Sequence, residues 1–195
     1  MIVGFVGRLT EIKDLSHFIR VAAMYNNLSS VAKPAIKFVI IGDGHLRESL
    51  QLEAERLGVN DILSFLGNRT DIQGVYFGLD VVALTSMNEG TPLSLIEAMA
   101  AERAVISTRV GGVVDLLGEE TETRDGFQIC GRGIGVDPGS VDSYLSGLIC
   151  LATDKKRRER IGAAGRDFVE NRYDKKRLVE DIKDLYRELY LIHDA

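Results

Sequence analysis

The sequence predicts an α/β fold in which a doubly wound parallel sheet is followed by C-terminal helices. Three observations carry this reading. Over the first two thirds of the chain, short apolar β-branched runs alternate with longer stretches of helical period. Glycine-rich turns follow the first two runs, and beyond Gly139 the pattern is helical to the end.

The first strand is expected at residues 2–6. After it, Leu15, Phe18, Ile19, Ala22 and Ala23 recur at the spacing of a helix with one apolar side. A second strand at 36–41 leads through Gly42-Asp43-Gly44 into a helix ending near Gly58. Further strands are expected at 62–66, 81–84 and 104–107, with a sixth at 134–136. The stretch 118–133 is polar and patternless apart from 127–130, and reads as a long surface loop with room for a short hairpin. The C-terminal helices should break near 162–165 and near Tyr173-Asp174. In the last of them Leu178, Ile182, Leu185, Leu189 and Ile192 form a stripe. The stripe is expected to cover the chain's own core, the alternative being that it packs on another domain.

A chain of 195 residues suits one core, so residues 1–195 are read as a single domain with a helical portion over about 140–195. Hydrophobic residues make up 45% and charged residues 27%, the balance of a water-soluble globular chain. A net charge of -5 gives no general attraction to polyanions, so no nucleic-acid partner is expected. The run Lys155 to Arg158, followed by Glu159, reads as a solvated helix face. No apolar stretch reaches the ~20 residues of a bilayer span and no signal peptide opens the chain, so a cytoplasmic location is expected. Cys130 and Cys150 lie far from His17, His45 and His193 without metal-ligand spacing, and both are read as reduced thiols.

The most informative segment is Asn88-Glu89-Gly90-Thr91-Pro92-Leu93-Ser94-Leu95-Ile96-Glu97-Ala98-Met99-Ala100, which follows a strand and opens a helix. Thr91 suits the N-cap and Pro92 the first helical position, which leaves the amides of Leu93 and Ser94 without partners and turned toward an anion. Ser94 stands where a capping box would place Glu or Gln. Apolar residues nearly surround Glu97, so the helix is expected to be buried, where an unpartnered carboxylate costs several kcal/mol. Either a basic side chain (Arg8, Arg103 or Arg109) pairs with Glu97 or the hydroxyls of a ligand do, the ion pair being favoured on the residues alone. After the first strand, Gly7-Arg8-Leu9-Thr10-Glu11-Ile12-Lys13 brings two cations to the carboxyl edge of the sheet, where an Arg fork and a Lys point charge suit a leaving diphosphate.

Together these residues resemble the nucleotide-binding domain of glycosyltransferase family 4. The features are Glu89-x7-Glu97 within EGTPLSLIEAMA, Gly7-Arg8 and Lys13, Gly42-Asp43-Gly44, and Thr108 to Gly112. The resemblance implies a Rossmann-like domain, one half of a GT-B fold. It implies the donor half of a retaining transferase that passes a hexose-type sugar from a UDP or GDP conjugate to a glycan or lipid-linked acceptor, as in polysaccharide biosynthesis. Arg8, Lys13 and Glu89 would be catalytic, Glu89 facing the donor sugar and the cations holding the diphosphate with the Leu93 and Ser94 amides. Glu97 would accept from the ribose hydroxyls, and the base would lie near Gly67, Asn68 and Arg69. Gly7, Gly42, Gly44, Gly90, Thr91 and Pro92 complete the donor site. No metal or other cofactor is implied, and the leaving diphosphate takes the acceptor's proton.

The resemblance also implies a partner: an N-terminal acceptor-binding domain, in cis or in trans, with the full enzyme peripheral at the cytoplasmic face of a membrane. The alternative is a non-catalytic nucleotide-sugar-binding subunit that needs a separate acceptor-binding chain. Two positions depart from the pattern: Glu102-Arg103-Ala104 replaces a Gly-x-Pro, which predicts a different cap for the preceding helix, and Asp115 replaces a Glu. A dinucleotide oxidoreductase is disfavoured because the first turn lacks G-x-G-x-x-G, and a P-loop enzyme because its motif is missing.

Overall fold

The computed structural model describes residues 1–29 and 33–193, the last three by their backbone. Among the described residues the strands are β1 (Ile2–Val6), β2 (Lys37–Ile41), β3 (Leu63–Gly67), β4 (Val81–Leu84), β5 (Ala104–Thr108), β6 (Glu120–Arg124), β7 (Phe127–Cys130) and β8 (Gly133–Val136). They form one sheet in the order β3-β2-β1-β4-β5-β8-β7-β6. From β3 to β8 all neighbours run parallel, whereas β7 and β6 add an antiparallel edge.

Burial follows position in the sheet. Every residue of β4 and β5 is buried, as expected where helices cover both faces; β4 is a continuous apolar run, and β5 is apolar through Ile106 before Ser107 and Thr108. The edge strand β3 instead alternates, with Leu63 buried and Ser64 and Leu66 exposed. The helices are α1 (Leu15–Asn26), α2 (Arg47–Arg56), α3 (Ile72–Phe77), α4 (Leu93–Ala100), α5 (Val113–Leu117), α6 (Val141–Thr153), α7 (Lys155–Tyr173) and α8 (Lys175–His193). From β1 the chain winds one way through β2 to β3, then returns and winds the other way from β4 to β5. Right-handed crossovers therefore put α1 and α2 on one face and α3 and α4 on the other. The winding reverses between β1 and β4, and the loops leaving these two strands border the crevice that such a reversal creates.

Three expectations need correction. The stretch 118–133 is not a long surface loop: the short hairpin for which it had room is present and extends the sheet. Asp125 and Gly126 turn with φ of 47° and 79°, the left-handed pair of a type I′ turn. Helix α7 runs unbroken through 162–165 because its small residues serve contact: a Cβ on Gly162 would lie 2.3 Å from the Glu102 carbonyl oxygen, and one on Gly165 3.0 Å from Met99 Cγ. The break that does occur falls at Asp154, whose carboxylate caps α7 by accepting from the Arg157 amide, and the expected one near Tyr173-Asp174 is present.

The stripe on α8 does not cover the chain's own core. Every residue from Asn171 to Tyr190 is exposed, and Leu178, Ile182, Leu185, Tyr186 and Leu189 share the apolar side of the helix. The side chain of Ile192 lies outside the described residues. The run Lys155 to Arg158 is a solvated face only in part: Lys155 and Lys156 are exposed, with Lys155 3.5 Å from Glu159, whereas Arg157, 17% exposed, pairs with Asp154, and Arg158 donates to the Leu151 and Ala152 carbonyls. Cys130 and Cys150 are free thiols, and burial pushes both above the usual range. No helix among the described residues is long and apolar enough to cross a membrane.

Candidate functional site

The site begins with three turns sewn together at the carboxyl edge of the sheet. The Gly7 amide donates to the Ile41 carbonyl (3.0 Å), Leu9 to Asp43 (3.0 Å) and Gly42 to Gly67 (2.8 Å). Gly42 has φ of 134°, and a Cβ there would lie 1.9 Å from the Gly7 carbonyl oxygen, so only glycine lets the two turns meet. Gly44 is also closely packed, since a Cβ there would lie 2.4 Å from the Leu9 carbonyl oxygen. Gly7, Arg8, Gly42, Asp43, Asn68, Arg69 and Ile72 line a cleft of about 360 Å³. Arg8 is exposed there and makes no ion pair among the described residues. The guanidinium of Arg69 is held by Asp71 through two hydrogen bonds of 2.9 and 3.0 Å.

Across the reversal point, the loops after β1 and β4 are joined by two of the expected site side chains. Lys13 Nζ donates to Glu89 Oε1 at 2.5 Å, and the Ser86 hydroxyl donates to the same oxygen at 2.6 Å. The side chains of Lys13 and Glu89 are 20% and 10% exposed, so the pair is shielded enough to matter electrostatically and open enough to meet a ligand. Main-chain contacts fix the loops: the Met87 amide donates to Ile12, and the Thr85 hydroxyl to Lys13. Behind them a Cβ on Gly111 would lie 1.8 Å from the Glu89 carbonyl oxygen, which accounts for glycine there.

Helix α4 opens one residue later than expected. Pro92 is its N-cap, extended at φ -71° and ψ 115°, its carbonyl accepting from Leu95 and Ile96; Thr91 lies exposed outside it. The ring fixes φ and the extended ψ keeps Pro92 out of the helix, moving the start to Leu93. No side chain caps this end, so the Leu93 and Ser94 amides keep their open donors.

The expected burial of Glu97 and its expected ion pair are both overturned. Leu93, Glu97 and Ala100, spaced four and three apart, form an exposed stripe on α4, while Leu95, Ala98 and Met99 face the core. Among the described residues no cation pairs with Glu97. Arg103 instead donates to the carbonyls of Ala101 and Leu79 at the end of α4. The partner of Glu97 is the Tyr76 hydroxyl, which donates to Oε2 at 2.7 Å. Tyr76 and Ser86 are the residues that the sequence reading missed; neither sits in a motif, and only their contacts across the chain reveal them. Glu97, Tyr76, Gln73, Phe77, Ala100 and Ile72 border a second cleft of about 430 Å³, and Ile72 also lines the first.

Glu102 caps α4 in the left-handed region (φ 61°), with its amide bonded to Met99 and that of Arg103 to Ala98. The helix therefore ends in the left-handed cap that glycine ordinarily fills, here with a glutamate. Asp115 lies in the first turn of α5, away from both clefts. Among the described residues no group of three or more His, Cys, Asp and Glu side chains could hold a metal ion.

Residues 1–168 match the family model described as "Glycosyl transferases group 1". The UDP-Gal:alpha-D-GlcNAc-diphosphoundecaprenol alpha-1,3-galactosyltransferase of Escherichia coli is 31% identical over 188 residues, covering 94% of this chain and 44% of that protein. The chain spans under half the length of the curated relatives it matches first. Among solved structures, HepE of Anabaena in complex with UDP and glucose superimposes with a TM-score of 0.81 at 21% identity, over 96% of this chain and 48% of that one. The C-terminal domain of a glycosyl transferase group 1 family protein (LpcC) from Francisella tularensis superimposes with a TM-score of 0.72 at 26% identity, covering 89% of this chain and 86% of that one.

Proposed function

The chain belongs to the group 1 glycosyltransferases, and from that premise we propose that it is the donor-binding domain of a retaining, family 4-type GT-B enzyme. The observation that carries this reading is the Lys13–Glu89 pair spanning the crevice beside the open amides of α4. A nucleoside-diphosphate sugar brings the features this arrangement lacks: phosphate oxygens for Arg8, Lys13 and the Leu93 and Ser94 amides, ribose hydroxyls for Glu97, and sugar hydroxyls for Glu89. The base lies toward Asn68 and Arg69.

In the reaction the bond from the anomeric carbon to the diphosphate breaks. Negative charge grows on the leaving oxygen, where positive side chains and a helix N-terminus stabilise it. The acceptor hydroxyl attacks from the same face, and its proton passes to the departing diphosphate. The protein's cations replace a metal in this scheme, so none is required.

The acceptor is bound by a complementary N-terminal domain, and the exposed stripe of α8 supports such a partner because so large an apolar face is unfavourable in water. The acceptor is a glycan or lipid-linked one, in keeping with the diphosphoundecaprenol-linked acceptor named for the Escherichia coli relative, and the full enzyme works at the cytoplasmic face of a membrane. The reading is tested by calorimetric binding of UDP and GDP beside uridine and guanosine. A diphosphate that binds far more tightly than its nucleoside supports it, and equal affinities would remove the diphosphate site.

A further inference from the structure

We propose that Tyr76 is a positioning residue that holds the Glu97 carboxylate ready for the ribose hydroxyls of the donor. The inference rests on the ribose-binding reading of Glu97 and adds to it a residue outside the family motifs quoted above.

Glu97 stands on the open stripe of α4, where a glutamate ordinarily samples many rotamers. Immobilising such a side chain when a ligand arrives costs binding free energy. Tyr76 removes that cost in advance. Its ring is 2% exposed and anchored in α3, and its hydroxyl donates to Oε2 of Glu97 at 2.7 Å. The bond uses one carboxylate oxygen and leaves Oε1 to accept from a ligand. Burial and the neighbouring carboxylate push the phenol above its ordinary range, so it stays a donor at all physiological pH values.

The placement fits a nucleoside. Tyr76 and Glu97 share the cleft that meets, at Ile72, the one lined by Arg8 and Asn68. Helix α3 also follows directly on the turn that carries Asn68 and Arg69, so one short element sets both the proposed base contacts and the ribose carboxylate. The competing explanation is that the bond only satisfies a buried phenol. That role predicts an effect on stability without any preference for ribose hydroxyls.

The test is calorimetric binding of UDP, GDP and ADP and of their 2′,3′-dideoxy counterparts to the wild type, Tyr76→Phe, Glu97→Ala and the double variant. Thermal unfolding of each variant checks that it is folded. Tyr76→Phe keeps the ring and leaves no polar group stranded. It should weaken the best-bound diphosphate about three- to tenfold and leave the dideoxy counterpart unchanged. The double variant should bind no more weakly than Glu97→Ala. If Tyr76→Phe weakens both ligands equally, or neither, while Glu97→Ala loses affinity only for the ribose form, Tyr76 has no positioning role and the Glu97 reading stands. If Glu97→Ala shows no ribose-dependent loss, or the wild type binds none of the nucleotides, the Glu97 reading falls and this one falls with it.

Discussion

Lys13 and Glu89 lie 76 positions apart in sequence, yet Lys13 Nζ and Glu89 Oε1 meet at 2.5 Å over the point where the winding of the sheet reverses. The contact joins the loops after β1 and β4, and both side chains are largely shielded. Removing one partner leaves the other charge poorly solvated. Lys13→Met should therefore lower stability by about 1–3 kcal/mol, and adding Glu89→Gln should restore most of the loss. Urea unfolding of both single variants and the double gives the coupling; strict additivity would show that the pair contributes nothing.

Arg8 is exposed in the first cleft without an ion-pair partner among the described residues. Arg8→Ala should leave stability within about 0.5 kcal/mol of the wild type. It should weaken nucleoside diphosphates by about 1.5–3 kcal/mol and nucleosides hardly at all. An equal loss for both ligands, read by calorimetry, takes Arg8 out of the phosphate site.

Glu102 occupies the left-handed position just past the C-cap of α4, at φ 61°, which costs a residue with a Cβ about 1–2 kcal/mol. Its ion pair with Arg166, 3.8 Å and half exposed, contributes little in return. Glu102→Gly should stabilise the protein by about 1 kcal/mol, less the greater entropy of an unfolded glycine. A lower denaturation midpoint for this variant would contradict the cap assignment.

His17, in the first turn of α1, is buried against Tyr144 of α6, and neither ring nitrogen has a hydrogen-bond partner. Burial lowers its pKa, nearby Arg20 adds to the shift, and Asp14 opposes it. The folded chain thus refuses a proton that the unfolded chain accepts. This contribution to stability is complete above the unfolded value near 6.5 and is lost as the pH falls through the lower folded value. His17→Leu should remove that part of the pH dependence and raise stability at neutral pH by about 1 kcal/mol. An unchanged pH profile of melting temperature would count against it.

Leu185 and Leu189 lie exposed on α8. Replacing both with Asp should change the melting temperature of this chain little, within about 0.5 kcal/mol per site. A large destabilisation would mean that the stripe packs on the chain's own core after all.

The inner sheet was legible because strands covered on both faces are written as apolar runs, as in β4 and the first three residues of β5. The edge was harder to read. Strands β6 and β7 are mostly polar or short, and the Asp125-Gly126 turn was the one local signal that they form a hairpin. Arg8, Lys13, Glu89 and the α4 amides were legible because they sit at fixed offsets from strand ends. The surroundings of Glu97 were not: an eight-residue helix rich in Leu and Ala looks buried all round until its neighbours leave one side open. Tyr76 and Ser86 act through contacts that no local pattern encodes.

The central claim, donor binding, is tested most directly by thermal-shift titration of this chain with UDP, GDP, ADP, their sugar conjugates and NAD. A nucleoside diphosphate or its sugar at a hundred times its dissociation constant adds about 2.7 kcal/mol, or roughly 5–10 °C for a chain of this size. The account predicts such a shift for one base, lost in Glu97→Ala. Stabilisation by NAD alone, or by no nucleoside diphosphate, would contradict it.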